Sequence, residues 1–153
     1  MTQTPQFAIL LPLVVGVGAV ACTVCVHAIA LAATVNLFRY QMKLGRPGAG
    51  ALVDLAIVMS VIALAFVAHL ISIAVWAVLL VICGEFPELG NAYYHSAVNY
   101  TTLGYGDVLL SPSWRLLGPI EATNGALMFG LSTAMIFAVI QRVVLTRYED
   151  LRY

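Results

Sequence analysis

Apolar residues fall in three long runs, and polar ones gather between them. The first run covers residues 7–38 without a charged side chain, the second residues 52–83, and the third starts near Leu117 and Pro119 and reaches about Gln141. Roughly 20 helical residues cross a hydrocarbon core. Each run is therefore expected to be a membrane-spanning helix, with Asp54 at the aqueous end of the second. Ala28, Ala30 and Ala32 would suit a cleaved leader. The segment before the first run holds no Lys or Arg, however, and the run is too long for a signal peptide. It is read as a retained helix.

The intervening segments divide the chain into an N-terminal span with a basic linker (1–51), a central region (52–141) and a short tail (142–153). Arg39, Lys43, Arg46, Pro47, Gly48 and Gly50 make the linker; Glu85, Pro87, Glu88 and Gly90 end the second run. Residues 91–100 have helical character but are too few to cross. Ser111, Pro112 and Ser113 read as a turn before the third run. Basic residues stay on the cytoplasmic face during insertion. Six of the seven lie in the linker or the tail, Arg115 being the exception. Both regions therefore face the cytoplasm, and the amino terminus and the 101–107 loop face outward.

Composition sharpens this picture. With 62% hydrophobic and 9% charged residues, the chain must use lipid as its solvent. A formal charge of zero leaves no basic footprint for nucleic acid. Cys22 and Cys25 share a helical face but would lack further zinc ligands. They are expected to pack as small buried hydrophobes, with Cys83 unpaired at a span end.

The chemistry concentrates in Thr101, Thr102, Leu103, Gly104, Tyr105, Gly106 and Asp107. A row of backbone carbonyls can replace the water around an ion if successive oxygens point to one axis. Alternating left- and right-handed residues would aim them so, and glycine enters left-handed space without steric cost. The Thr102 hydroxyl adds an oxygen below the carbonyls. Irregular backbone at membrane depth must be enclosed by protein or line water. One chain has too few helices and no internal repeat to enclose it, so a closed homotetramer is expected.

This string, with Leu103 where Val is usual, resembles the selectivity filter of the potassium-channel pore family, in particular small bacterial channels. The likeness covers residues 52–141; the first span lies outside it. Gly125 to Ala134 in the third run looks like the inner helix of such channels. The resemblance implies an all-α membrane protein with three transmembrane helices, a re-entrant pore helix and a filter loop. It further implies passive, potassium-selective conduction across the cell membrane, the inner membrane in a bacterium. K+ would be the transported ion, coordinated by Thr102, Leu103, Gly104 and Tyr105. Thr101, Gly106 and Asp107 would support the filter, and Trp114 would sit near the outer interface. Phe129, Thr133 and Phe137 would line the pore at helical spacing, Phe137 as a hydrophobic constriction. The C-terminal end of the pore helix, partially negative, would favour a cation in the cavity.

Several polar residues keep two readings open. Glu121 and Asn124 share a helical face. Glu121 either supports the filter from behind, where the family sometimes places a pore-helix carboxylate and this chain has Val98, or contacts interfacial water beside Arg115. Gly125 and Gly130 either let the third helix bend or allow close packing. His27, His69 and His95 are either bonded buried imidazoles or proton sensors, His69 and His95 above all. Tyr93, Tyr94 and Tyr100 are expected to surround the filter, Tyr100 donating to a backbone oxygen.

Rival functions are a pore subunit of a potassium transporter and a non-selective cation channel. Transporter chains of that kind carry four non-identical repeats with single-glycine filters, unlike the one intact Gly104-Tyr105-Gly106 here. A membrane scaffold with an accidental loop match is a third. No nucleophile–base pair, metal cluster or phosphate loop supports an enzyme, and Gly104-Tyr105-Gly106 does not continue as a dinucleotide fingerprint. No run carries a basic residue at every third position, so a voltage sensor of the usual kind is not expected.

Overall fold

The computed structural model describes residues 5–150, with side chains described for 9–147; Arg152, expected in the basic tail, lies outside them. Four helices form: α1 (Pro5–Lys43), α2 (Ala51–Ile82), α3 (Leu89–Tyr100) and α4 (Leu117–Asp150), with no strand among the described residues. Three are long and apolar enough to cross a membrane, over Ile9–Lys43, Ala51–Ile82 and Leu117–Arg147.

Helix ends follow local chemistry. Gly45 adopts φ 62 after α1, while the Gly45 amide donates to Met42 and the Arg46 amide to Gln41. Gly84 repeats the device after α2: φ 77, its amide on Val81 and the Glu85 amide on Leu80. Both satisfy carbonyls that a helix terminus would otherwise orphan. The helix of the third run, α4, is longer than the apolar pattern alone. Residues after Gln141, read as a tail, continue α4 to Asp150. Arg142 marks a polar boundary, but a change of solvent does not interrupt the backbone hydrogen-bond ladder.

The chain divides into two compact units, Met1–Val26 with Leu70–Phe129, and His27–His69 with Gly130–Tyr153. In the first, Trp76, Leu80, Tyr100, Leu117 and Met128 form the core, joined by Ala19 of α1. Gly16 of α1 lies where an added Cβ would meet Ile120 at 3.0 Å. Thr23 donates to the Asn124 side-chain oxygen at 2.9 Å, and the Trp76 indole donates to the same oxygen at 3.0 Å. In the second unit, Ile57, Val61, Ala65, Met135, Val139 and Val143 form the core. There the His27 and His69 rings meet at 4.8 Å.

The buried stripe of α1 is small or polar: Gly16, Ala19, Thr23, His27, Ala30 and Thr34. Between lipid-soluble helices apolar surface gives no drive to associate, so close approach and hydrogen bonds select the contact face. Large apolar residues such as Val14, Val17 and Ile29 point outward instead. Cys22 and Cys25 lie off this stripe and are exposed, a correction to their expected burial. Asp54 lies in the first turn of α2, at the end of the span where it is expected; its side chain is buried, accepts from the Gly48 amide at 2.8 Å and stands 3.6 Å from Arg147.

Candidate functional site

The loop begins as the cap of α3. The Thr102 amide donates to Asn99 at 2.8 Å and the Leu103 amide to Val98 at 3.0 Å. This is the bonding pattern seen at Gly45 and Gly84, but the left-handed residue is now Thr102, with φ 61. A β-branched residue there is a genuine outlier. The conformation costs on the order of 1–2 kcal/mol, and such strain clusters at functional sites. Gly104 follows with φ 59 and Gly106 with φ 72, so left-handed residues alternate with Leu103, Tyr105 and Asp107. The Gly104 amide also reaches the Val98 carbonyl, at 3.2 Å. Thr101 anchors the start by donating its hydroxyl to Ala97 at 2.7 Å.

At the other end Asp107 is held twice. Its carboxylate accepts the Tyr94 hydroxyl at 2.8 Å and the Val108 amide at 3.1 Å. The bond to Asp107 holds the Tyr94 phenol above the ordinary tyrosine value. Glu85 clamps the segment that follows the loop, accepting the Ser111 amide at 2.7 Å and the Ser111 hydroxyl at 2.6 Å. Behind the loop lies a cavity of about 410 Å³ lined by His95, Asn99, Gly104, Gly106 and Arg115 among others. His95 pairs there with Asn99 at 2.7 Å. Leu103 and Tyr105 are 55% and 67% exposed, so a single chain leaves this row uncovered.

The first turns of α4 support the base of the loop. A Cβ at Gly125 would overlap the Tyr100 carbonyl, whereas Gly130 faces open space. At Gly125 the close-packing reading therefore holds. Tyr100 is fully buried, and its hydroxyl bonds the Ser72 side chain. Its ring meets Phe129 edge-on at 5.7 Å. Phe129, Thr133 and Phe137 are all exposed on the single chain.

Glu121 overturns one of its two readings. It is fully buried, and neither carboxylate oxygen has a hydrogen-bond partner among the described residues. It is closed off from solvent and, among the described residues, makes no ion pair with Arg115. The Ser96 hydroxyl of α3 approaches it without closing a bond. Ser96 escaped the sequence reading, although a serine in step with Ala92 and Tyr100 on one α3 face was a usable signal. The Tyr94–Asp107 and Glu85–Ser111 bonds gave no such signal, their partners being 13 and 26 residues apart.

Three apolar crossing helices, one short helix and a loop of alternating handedness make this a multi-pass membrane protein. A family model described as an ion channel matches residues 56–142, more than half of the 153-residue chain. The chain belongs to that family, the ion channels of the two-span, potassium-channel type. The matched region holds α3, the loop and most of α4, and leaves α1 outside. No curated protein and no solved structure matches the chain.

Proposed function

We propose that this channel conducts K+ passively and selectively as a homotetramer. Four 101–107 loops ring one axis, and the carbonyls of Thr102, Leu103, Gly104 and Tyr105, with the Thr102 hydroxyl, replace the ion's water. K+ is the cargo, bound weakly enough at successive sites that neighbouring ions push one another through. The observation that carries this reading is the alternation of left-handed φ at Thr102, Gly104 and Gly106. It turns successive carbonyls to one side, which an ordinary turn has no need to do. The exposure of Leu103 and Tyr105 agrees with a row that only neighbouring copies cover.

In this reading α3 is the re-entrant pore helix, its partially negative C-terminal end facing the cavity. Gly106 permits the last turn, and Asp107, tied to Tyr94, braces the outer mouth. Phe129, Thr133 and Phe137 line the path below, with Phe137 a neck that stops ions by excluding water. Glu121 holds the back of the filter. The protein sits in the cell membrane, the inner one in a bacterium, with its amino terminus outside and its carboxyl terminus in the cytoplasm, as the basic residues dictate.

Purified protein in a planar bilayer under bi-ionic K+ and Na+ gradients tests the proposal. A reversal potential far toward the K+ equilibrium value, from particles of tetrameric mass, is expected. Equal permeability would make it a non-selective cation channel. A monomeric particle, or flux only under a coupled driving gradient, would favour a transporter subunit.

A further inference from the structure

The helix ends carrying most of the basic residues hold two adjoining cavities that ion conduction does not use. One, of about 700 Å³, is lined by Arg39, Lys43 and Arg142 together with Asn36, Tyr40 and others. Arg39 and Lys43 stand one turn apart on α1, and Arg142 comes from α4. Among the described residues no carboxylate lines this cavity. Other cations of this end are engaged elsewhere: Arg147 beside Asp54, and Arg46 on the Gln41 side-chain oxygen at 3.4 Å.

The second cavity, of about 390 Å³, shares Phe38, Arg39 and Arg142 with the first. It continues between α1 and α4 past Val35 and Thr34 to Leu31. From Arg39 to Leu31 is ~12 Å of helix, much of one bilayer leaflet's hydrocarbon depth. Its wall is apolar apart from the two guanidinium groups and Thr34. That residue is 1% exposed, and its hydroxyl has no hydrogen-bond partner among the described residues.

We infer that this pair of cavities is a binding site for one anionic phospholipid. Its phosphate lies among Arg39, Lys43 and Arg142, one acyl chain lies in the groove, and the Thr34 hydroxyl donates to an ester oxygen. A helix C-terminus is partially negative and opposes an anion. Lys43, in the last turn of α1, offsets that end, and Arg39 and Arg142 leave the cavity net positive. Basic pockets between membrane helices at the cytoplasmic face are suited to anionic headgroups. The apolar groove continuous with the cations selects a lipid over a free phosphate ion. Because α1 supplies most of the first wall and about half of the second, the site gives the span outside the matched family region a ligand of its own.

Native mass spectrometry of the full-length channel, incubated in mixed micelles of phosphatidylcholine and phosphatidylglycerol, tests this without recourse to ion flux. Wild type is expected to retain phosphatidylglycerol preferentially. The triple variant Arg39→Gln, Lys43→Gln, Arg142→Gln should lose about a hundredfold of that preference, and each single variant about fivefold. Ala138→Phe, which fills the groove and leaves every charge in place, should also lower retention. Arg115→Gln, outside both cavities, should retain as wild type does. An unchanged preference in the single and triple variants would overturn the assignment. So would displacement of the lipid by an equal concentration of glycerophosphoglycerol, which lacks chains. Ala138→Phe particles that fall below tetrameric mass while keeping the lipid preference would place a second copy in the groove and likewise rule out the lipid.

Discussion

Gly125 of α4 lies against the Tyr100 carbonyl that ends α3, so closely that any β-carbon at 125 would overlap it. Helix α4 thus sets the position of the loop base through backbone contact rather than through a side chain. Gly125→Ala should cost about 1–3 kcal/mol by overpacking and lower the melting temperature. Gly130→Ala meets nothing within 4 Å and should leave it unchanged or raise it. Thermal melts of the two purified variants make the comparison; equal melting temperatures would remove the contact from consideration.

Thr102 holds a left-handed conformation that its branched side chain resists. Thr102→Gly should relieve about 1–2 kcal/mol of backbone cost. It should at the same time lower K+ over Na+ selectivity, because a hydroxyl oxygen is lost from the row. Melting curves and bi-ionic potentials measured together show whether stability rises as selectivity falls. A variant that gains stability and keeps full selectivity would leave the hydroxyl with no part in coordination.

Tyr94 and Asp107 tie α3 to the end of the loop, and the phenol's proton makes the tie. The bond raises the phenol above its ordinary value, near pH 10. A raised group contributes fully below its unfolded value and loses its contribution as pH climbs through the folded one. The tie is therefore intact at neutral pH and fails only in alkali beyond pH ~10. Tyr94→Phe should speed the decay of current at neutral pH and abolish the alkaline change expected of wild type. Currents of wild-type stability from Tyr94→Phe at all pH values would count against a bracing role.

Glu121 is buried with both oxygens unpartnered, an arrangement that costs stability. Glu121→Gln keeps the shape, removes the ionisable group and can donate to Ser96. The variant should assemble and melt no lower than wild type, yet change the rate at which current decays. Ser96→Ala should move that rate as well. Macroscopic currents from reconstituted protein decide it, and decay unaltered in both variants would dismiss Glu121 as a filter support.

What the sequence determined is local in origin. Three long, mostly apolar runs specify three crossing helices, because a lipid-exposed backbone must satisfy its own hydrogen bonds. Gly45 and Gly84 end α1 and α2 by a conformation that depends on the few residues around each. The spacing of Gly104 and Gly106 likewise shows in the alternating backbone of the loop. Tertiary structure decided whatever depends on a partner distant in the chain. Thr23 meets Asn124 across 101 residues, Tyr94 reaches Asp107, and Asp54 stands beside Arg147. Glu121 keeps two readings in the sequence, a filter support or an interfacial carboxylate, and only the packing around it shows that it is enclosed. In an apolar solvent hydrophobicity says which segments enter the membrane but not which faces meet. Small residues and isolated polar atoms choose those faces, and their matches exist only once the helices have come together.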